Sequence, residues 1–375
     1  MAGIYIHIPF CRKACHYCNF HFSTQIEHID SFVEALLKEM ALQKNYLTEP
    51  VNTIYIGGGT PSLLSAKHLD KILNGINSHF TIPTKVEFTL EANPDDIDFE
   101  KTIMWKSKGI NRLSIGIQSF QEEALSWMNR AHNTRQSHSA IENAKAAGLH
   151  NISTDLIYGT PHLSDEALIS DIKILNEYEI PHISCYALTV EEKTALHNLI
   201  LKKKIENIDT EKQARHFEIV VEHLINKGFE HYEISNFALP GKRSMHNSNY
   251  WKGIPYLGLG PSAHSYNTFS RQWNIANNHL YIKSIDENKL PFEIENLDTV
   301  TQYNEYMMIS LRLQEGFDFN EIEKRFGNAF SQHTHNIAAE LLQIGKLVST
   351  NNGYAITKNA RFLADGIASD FFIID

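Results

Sequence analysis

The chain has 375 residues, more than one ordinary domain needs, so we expect one large domain and a smaller one. Its hydrophobic content of 42% and charged content of 21% are typical of a soluble globular protein with a substantial core. The formal net charge of -10 argues against nucleic-acid binding through a general basic surface.

The N-terminal residues lack the basic and long apolar segments of a signal peptide, and no run approaches the roughly 20 apolar residues of a membrane span. We therefore expect a cytoplasmic protein, in which clustered cysteines usually serve metal binding or catalysis. Three of the four cysteines, Cys11, Cys15 and Cys18, lie within eight residues of one another. Cys185 stands alone in an apolar run and is interpreted as a core residue.

Six short β-rich runs alternate with helical patterns along the first half of the chain. The predicted strands are residues 3–8, 53–56, 86–91, 112–117, 152–157 and 182–187. Ser31 and Glu34 have the spacing of a capping box and predict the start of the first helix. The alternation predicts an α/β fold with a parallel sheet, and six strands favour an open, partial (β/α)6 barrel over a closed eight-stranded one.

In such sheets, catalytic and ligand-binding residues lie at the carboxyl ends of the strands. A chemically unusual residue or segment lies at the end of each predicted strand: Cys11, residues 57–60, Glu91, Gln118, Asp155 and Ala187. This agreement between topology and residue type is stronger evidence for a functional site than any single motif.

The pattern changes in the last third of the chain. Helices are predicted over residues 303–313, 320–326 and 336–344, and two short strands flank the hairpin signal Asn352-Gly353. They predict a small helical, winged-helix-like C-terminal domain without a basic cluster. The expected organisation is a core domain over residues 1–235, a connecting region over 236–297 and a C-terminal domain over 298–375.

The cysteines form a C-x3-C-x2-C motif on a loop after the first strand. Three thiolates can hold three irons of a 4Fe–4S cluster, which leaves the fourth iron open to an amino acid such as the methionyl end of S-adenosylmethionine (SAM). The alternative is a zinc site that His16 or His21 completes. The spacing leaves both open, while the position at a strand end favours the cluster.

Here the residues resemble a known family. The run from Tyr5 to Cys11, the cysteine triad and Gly57-Gly-Gly-Thr-Pro-Ser62 resemble the radical SAM enzymes of the coproporphyrinogen oxidase-like group. Within that group, the chain most resembles the HemW haem chaperone family, over nearly its whole length and including a HemN-like C-terminal domain. His246-Asn-Ser-Asn-Tyr-Trp251 matches the HNxxYW motif of that family.

The resemblance implies a radical SAM core whose 4Fe–4S cluster is held by the three cysteines and completed by SAM. It also implies a SAM pocket formed by Tyr5, Tyr17, Gly58, Gly59, Thr60, Glu91, Gln118, Arg130, Asp155 and Ala187. Taken singly, each polar residue of this set could equally form a strand-end salt bridge. The glycines alone could be a flexible turn, and no Gly-Lys-Ser/Thr follows them as in a phosphate loop.

The resemblance further implies haem as cargo, delivered to a respiratory, membrane-associated acceptor protein. His246 is a candidate haem ligand, although the same motif could be an aromatic loop around a hydrogen-bonded histidine. The alternative function is that of an oxygen-independent coproporphyrinogen III oxidase, an oxidative decarboxylase. Phe20 stands where that enzyme has a further cysteine, and the sequence begins almost at its first strand, without that enzyme's N-terminal extension. Both departures put decarboxylase activity in doubt, and no pattern decides between monomer and dimer.

Overall fold

The computed structural model describes residues 1–374, which form two compact units. The first comprises Met1–His223 and Ser244–Glu295, and the second comprises Leu224–Arg243 and the residues from Asn296 onward. The functional domains expected at residues 1–235, 236–297 and 298–375 stay a prediction. Within residues 1–374, no helix combines the length and apolar character needed to cross a membrane.

The first part of the chain alternates strands and helices. These elements are β1 Ala2–Ile8, α1 Ile29–Leu42, β2 Val51–Gly58, α2 Ala66–His79, β3 Glu87–Ala92, α3 Phe99–Ser107, β4 Arg112–Gln118, α4 Glu122–Trp127, α5 Thr134–Ala146, β5 Ile152–Tyr158, α6 Asp165–Glu177, β6 His182–Ala187, α7 Ala195–Leu201 and α8 Thr210–Asn226. The six predicted strands are therefore confirmed, with ends that differ by at most two residues.

Strands β1 to β6 pair in parallel and in sequence order, as the alternation of strands and helices predicts. The other side of β1 pairs with a later strand, so β1 and β6 do not meet in the part of the chain described here. The sheet is consequently an open, partial (β/α)6 barrel, which confirms the predicted fold class.

The two faces of this sheet differ in chemistry because side chains alternate along a strand. Ile4, Ile6 and Ile8 of β1 are fully buried on one face. The opposite face is mainly polar or aromatic and includes Tyr5, Tyr55, Thr89, Glu91, Arg112 and Asp155. The barrel interior therefore presents side chains that need hydrogen-bond partners.

The chain continues with elements of both units. These are β7 Glu230–His231, β8 Asn236–Ala238, α9 Met245–Trp251, β9 Tyr256–Leu259, β10 His264–Tyr266, β11 Ser270–Asn274, α10 Asn278–Asp286 and β12 Phe292–Asn296. In the first unit, β9 pairs in parallel with β1, and β10 and β11 follow antiparallel. The fully buried Glu39 of α1 connects α1 to the segment from β9 to α10. It accepts hydrogen bonds from Gly260, Asn274 and Tyr281 at 2.6–2.8 Å.

The C-terminal part of the second unit combines helices with a small sheet. Its elements are α11 Thr299–Arg312, β13 Phe317–Asp318, α12 Phe319–Phe326, α13 Asn328–Gln343, β14 Leu347–Ser349, β15 Gly353–Ile356 and α14 Ala364–Asp370. The three strands pair antiparallel in the order β13-β15-β14. Tyr303, Met307, Phe317, Ile322 and Phe371 form its buried core. The arrangement is winged-helix-like, as predicted.

Candidate functional site

The three clustered cysteines lie on the loop between β1 and α1, at the carboxyl end of β1. Neighbouring side chains anchor this loop on both sides. Arg12 donates to the buried Asp96, and Lys13 Nζ donates to the carbonyl of Arg130 at 3.0 Å. Asn129 Nδ2 donates to the carbonyl of Ala14 at 2.7 Å. The cysteine loop is thus tied to segments that follow β3 and β4.

The thiols lie close enough to influence one another electrostatically. Burial raises the pKa of Cys11, and it raises that of Cys18 to about 11, with a further contribution from the neighbouring cysteines. Within residues 1–374, no three His, Cys, Asp or Glu side chains already converge as ligands of a single ion. His16 and His21, the candidate zinc ligands, each bond elsewhere, to the carbonyl of Trp127 and to Asn278. Three soft thiol donors on one loop fit an iron–sulfur cluster in their chemistry.

Arg130 joins the cysteine loop to the ends of β3 and β4. One of its terminal nitrogens lies 3.4 Å from Cys15 Sγ and 3.3 Å from Tyr17 Oη. The other donates to Asn93 at 2.8 Å and to the carbonyl of Gly116 at 2.9 Å. Its Nε is buried without a partner in the described residues. A guanidinium placed in this way can hold a carboxylate beside the cysteines.

The glycine segment after β2 lies against β1 and β3. Gly58 has a φ of 108°, and a Cβ there would lie 2.6 Å from His7 Nδ1, so a side chain would clash. A Cβ at Gly59 would lie 2.7 Å from the carbonyl oxygen of Phe10 and 3.0 Å from Cys11 Sγ. The segment therefore passes directly beside the first cysteine, and Thr60 follows it, buried.

Glu91 is held in the barrel interior by two hydrogen bonds. Tyr55 Oη donates to Glu91 Oε1 at 2.7 Å, and the amide of Gly58 donates to Oε2 at 3.0 Å. Burial among surrounding atoms raises the pKa of Glu91 to about 7, with Asp155 adding to the rise. Burial likewise raises the pKa of Asp155 on β5 to about 6, while Ser184, Arg112 and Arg130 oppose the rise.

Gln118 and Ala187 end two strands of the same edge. Gln118 has a φ of 65°, a conformation that costs energy outside glycine, and its buried Oε1 has no hydrogen-bond partner in the part of the chain described. Ala187 pairs in register with Tyr158 at the end of β6. The carboxyl end of the sheet thus gathers the predicted residues from β2 to β6.

The two predicted aromatic residues differ in position. Tyr17 belongs to the cysteine loop and accepts from Arg130, as above. Tyr5 lies inside the barrel, where its hydroxyl is 3.0 Å from His7 Nδ1 and its ring is 6.1 Å from that of Tyr55. His7 Nε2 lies 2.8 Å from the carbonyl of His21, so this nitrogen carries the proton and Nδ1 accepts from Tyr5.

His246, the candidate haem ligand, lies at the opposite end of the strands. It belongs to α9, and the residue is 2% exposed. Its Nδ1 lies 2.9 Å from Thr53 Oγ1 and its Nε2 lies 2.8 Å from Tyr250 Oη. Gly3, its neighbour on β1, is five residues before Ile8, or about 16 Å along the strand. The structure does not bring His246 together with the cysteines, and ligation of iron would require it to leave both partners.

Three further residues at the site were not predicted from the sequence. Tyr55 orients Glu91, Asn93 accepts from Arg130, and Arg112 is a 2% exposed cation near both raised-pKa carboxylates. Tyr55 shares its strand face with Thr53 and Gly57, so the side-chain period of β2 is the signal that places Tyr55 in the barrel interior. Asn93 follows the predicted third strand and Arg112 begins the predicted fourth strand, but neither belongs to a motif.

A partial barrel with this cysteine loop at the end of its first strand defines a radical SAM protein. Residues 5–175 match the family model of the radical SAM superfamily, and residues 297–363 match that of the HemN C-terminal domain. The fold is shared with the solved coproporphyrinogen III oxidase HemN of Escherichia coli, at a TM-score of 0.86 and 21% identity over 99% of this chain and 89% of that one.

Relatives in sequence narrow the assignment. The haem chaperone HemW of Bacillus subtilis is 33% identical over 99% of both chains, and that of Lactococcus lactis is 33% identical over 99% of this chain and 97% of its own. HemW of Escherichia coli is 35% identical over 71% of this chain and 70% of its own. The chain belongs to the HemW family.

Proposed function

We propose that this chain is a haem chaperone, which binds haem and transfers it to acceptor proteins while carrying a SAM-coordinated 4Fe–4S cluster. The observation that carries the proposal is the similarity to HemW proteins over 99% of the chain, together with the cysteine loop at the end of β1. We place this activity in the cytoplasm, with a respiratory, membrane-associated protein as the acceptor.

Cys11, Cys15 and Cys18 would hold the cluster, which, once reduced by an external electron donor, would supply the one-electron chemistry of a radical SAM protein. Arg130 would neutralise and orient the methionyl carboxylate, because its guanidinium already lies beside Cys15. Gly58, Gly59 and Thr60 would line the methionyl portion, since backbone without side chains permits a close approach.

The remaining residues would hold the nucleoside. Asp155 suits the ribose hydroxyls as a hydrogen-bond acceptor, and Gln118 Oε1 is a buried acceptor that a donor of the ligand would satisfy. Glu91 would face the cofactor between them, with Tyr5 and Tyr17 as aromatic walls and Ala187 as a backbone contact. The unsatisfied atoms of Gln118 and Arg130 support a polar ligand at this edge.

The experiment is a haem titration of the anaerobically reconstituted chain, followed by the Soret band, with iron and sulfide determined on the same sample. Stoichiometric binding, and transfer of the bound haem to an apo-acceptor, would support the chaperone. Zinc without sulfide would contradict the cluster. Vinyl products from coproporphyrinogen III under reducing conditions would instead establish the decarboxylase alternative.

The predicted haem ligand is tested in the same titration with His246→Ala. Weakened haem binding in this variant would place the ligand at His246. Unchanged binding would keep the chaperone and move the ligand elsewhere, as the two hydrogen bonds of the ring lead us to expect.

A further inference from the structure

The short helix α9 lies at the amino ends of β1, β2 and β3 and is tied to β2 and β3 by hydrogen bonds. Glu87, the first residue of β3, accepts from the amides of Met245 and His246 at 3.0 and 2.9 Å, so it fixes the start of α9. Asn249 Nδ2 reaches Asn52 and Thr53 at 3.3 and 3.4 Å. The helix is thereby locked onto the sheet.

The ring of His246 packs against interior side chains of β2. It stacks on Tyr55 with the ring centroids 5.0 Å apart and an interplanar angle of 27°. Tyr250 packs edge-on against its other side at 4.9 Å and 82°. The Cα of Gly3 on β1 borders the imidazole, since a Cβ there would lie 3.4 Å from His246 Cε1, at ordinary contact distance. The imidazole is therefore held by the rings of Tyr55 and Tyr250.

Tyr55 connects this buried ring to the cofactor end. Its hydroxyl donates to Glu91 at 2.7 Å, and the other oxygen of that carboxylate accepts from Gly58. A continuous series of contacts therefore runs from His246 through Tyr55 and Glu91 to the glycine segment. Since a tyrosine ring has only two side-chain torsions, a flat surface behind it largely fixes where its hydroxyl points.

We propose that His246 is a positioning residue for the SAM pocket, which holds the ring of Tyr55 and through it the Glu91 carboxylate. The inference rests on the proposed function, because it takes Glu91 as part of the SAM pocket. It gives the HNxxYW motif a role at the amino ends of the strands. Desolvation, with a contribution from Arg112, lowers the pKa of His246 to about 3, which keeps the ring neutral as a stacking partner.

The test measures SAM affinity of the reconstituted full chain for wild type, His246→Ala, His246→Phe and Tyr55→Phe. His246→Ala should weaken SAM binding about tenfold, an effect typical of removing a supporting shell, with iron content unchanged. His246→Phe keeps a flat ring and should recover most of the affinity. In the Tyr55→Phe background, His246→Ala should add little, because the coupling passes through the tyrosine hydroxyl.

Amide exchange of the SAM-free protein gives a readout that does not depend on cofactor. His246→Ala should speed exchange in the peptide containing Gly58, whose amide is bonded to Glu91. His231→Ala, which removes another buried histidine stacked on an aromatic ring, is the matched control and should leave that peptide unchanged.

Unchanged SAM affinity and unchanged Gly58 exchange in His246→Ala would overturn the proposal. So would an undiminished loss of affinity in the Tyr55→Phe background, or loss of haem binding with SAM affinity intact. If the wild type itself bound no SAM, the proposed cofactor would fail, and the exchange experiment would still decide the positioning role.

Discussion

The two ends of the same parallel strands are both polar, yet their hydrogen bonding differs. At the amino ends, Glu87 accepts two amides through its carboxylate and both nitrogens of His246 have partners. At the carboxyl ends, Gln118 Oε1 and Arg130 Nε are buried without partners in the described residues. Gln118 and Asn129 there also adopt positive φ angles of 65° and 60°.

The difference teaches that polarity alone does not locate a ligand site in a barrel. Buried polar groups are costly unless paired, so a cluster that satisfies itself is complete as a structure. A cluster with unpaired donors and acceptors and a strained backbone has capacity for a ligand. This contrast supports our proposal that the cofactor binds at the carboxyl end and that the contacts of α9 at the amino ends serve as a support.

The largest expected effect is confined to the carboxyl end. Cys15→Ala leaves two thiols for the cluster, so iron and sulfide after reconstitution should fall nearly to zero and SAM binding should be lost. Exchange protection of α9 should stay as in wild type. Cys185→Ala, which removes the buried cysteine of β6, is the control and should retain full iron content. Iron retained in Cys15→Ala would contradict the assignment of the cluster.

Arg130→Lys should produce the next largest effect. A lysine keeps the charge but cannot reach Tyr17, Asn93 and Gly116 together, because it lacks the planar fork. Loss of charged hydrogen bonds worth about 1.5–3 kcal/mol corresponds to roughly 10- to 150-fold weaker SAM binding, measured by equilibrium dialysis. The exposed Arg135→Lys serves as the matched control. Equal affinity in both variants would remove Arg130 from the pocket.

The pH dependence of SAM binding should sharpen the comparison further. Burial raises the pKa of Asp155 to about 6 and that of Glu91 to about 7. If the ionised carboxylates accept the donors of SAM, the dissociation constant should rise as the pH falls from 8 to 5.5, by up to about tenfold per unit below the pKa of one group. Asp155→Asn should flatten this profile.

Unfolding does not explain the weaker SAM binding that we expect at low pH. A carboxyl group with a raised folded-state pKa binds its proton more tightly in the folded than in the unfolded chain. Protonation of these two carboxyl groups therefore stabilises the folded chain as the pH falls from about 7 toward their unfolded-state pKa values, which are about 4. A profile for Asp155→Asn identical to that of wild type would show that Asp155 does not control binding.

The strands were predictable because each is a short run rich in β-branched, aromatic or other apolar residues, and the cysteine spacing located the loop. The first helix shows a local failure. It begins at Ile29, and Ser31 Oγ donates to the carbonyl of His28 instead of capping the helix, so the predicted capping box was wrong. A serine near a helix start can cap the helix or donate to a nearby backbone carbonyl. The Ser–Glu spacing does not show which of these hydrogen bonds forms.

The role of the HNxxYW segment could not be predicted in the same way. His246 reaches Thr53 across 193 residues of sequence, and this contact depends on α9 returning to the amino ends of β1 to β3. The side-chain period of β2 indicates that Thr53 and Tyr55 share a face, but no periodicity indicates which helix covers that face.

The smallest expected effect tests whether the amino end is a support. Glu87→Gln removes the charge that accepts from the first amides of α9, and a loss of about 1 kcal/mol is typical of such a cap. Amide exchange in α9 should therefore accelerate about fivefold, while iron content stays at the wild-type level. Exposed Glu293→Gln on β12 should change neither quantity. Loss of the cluster in Glu87→Gln would show that the two ends are one cooperative site, whereas local acceleration alone would show that the amino end can loosen without releasing the cysteine loop.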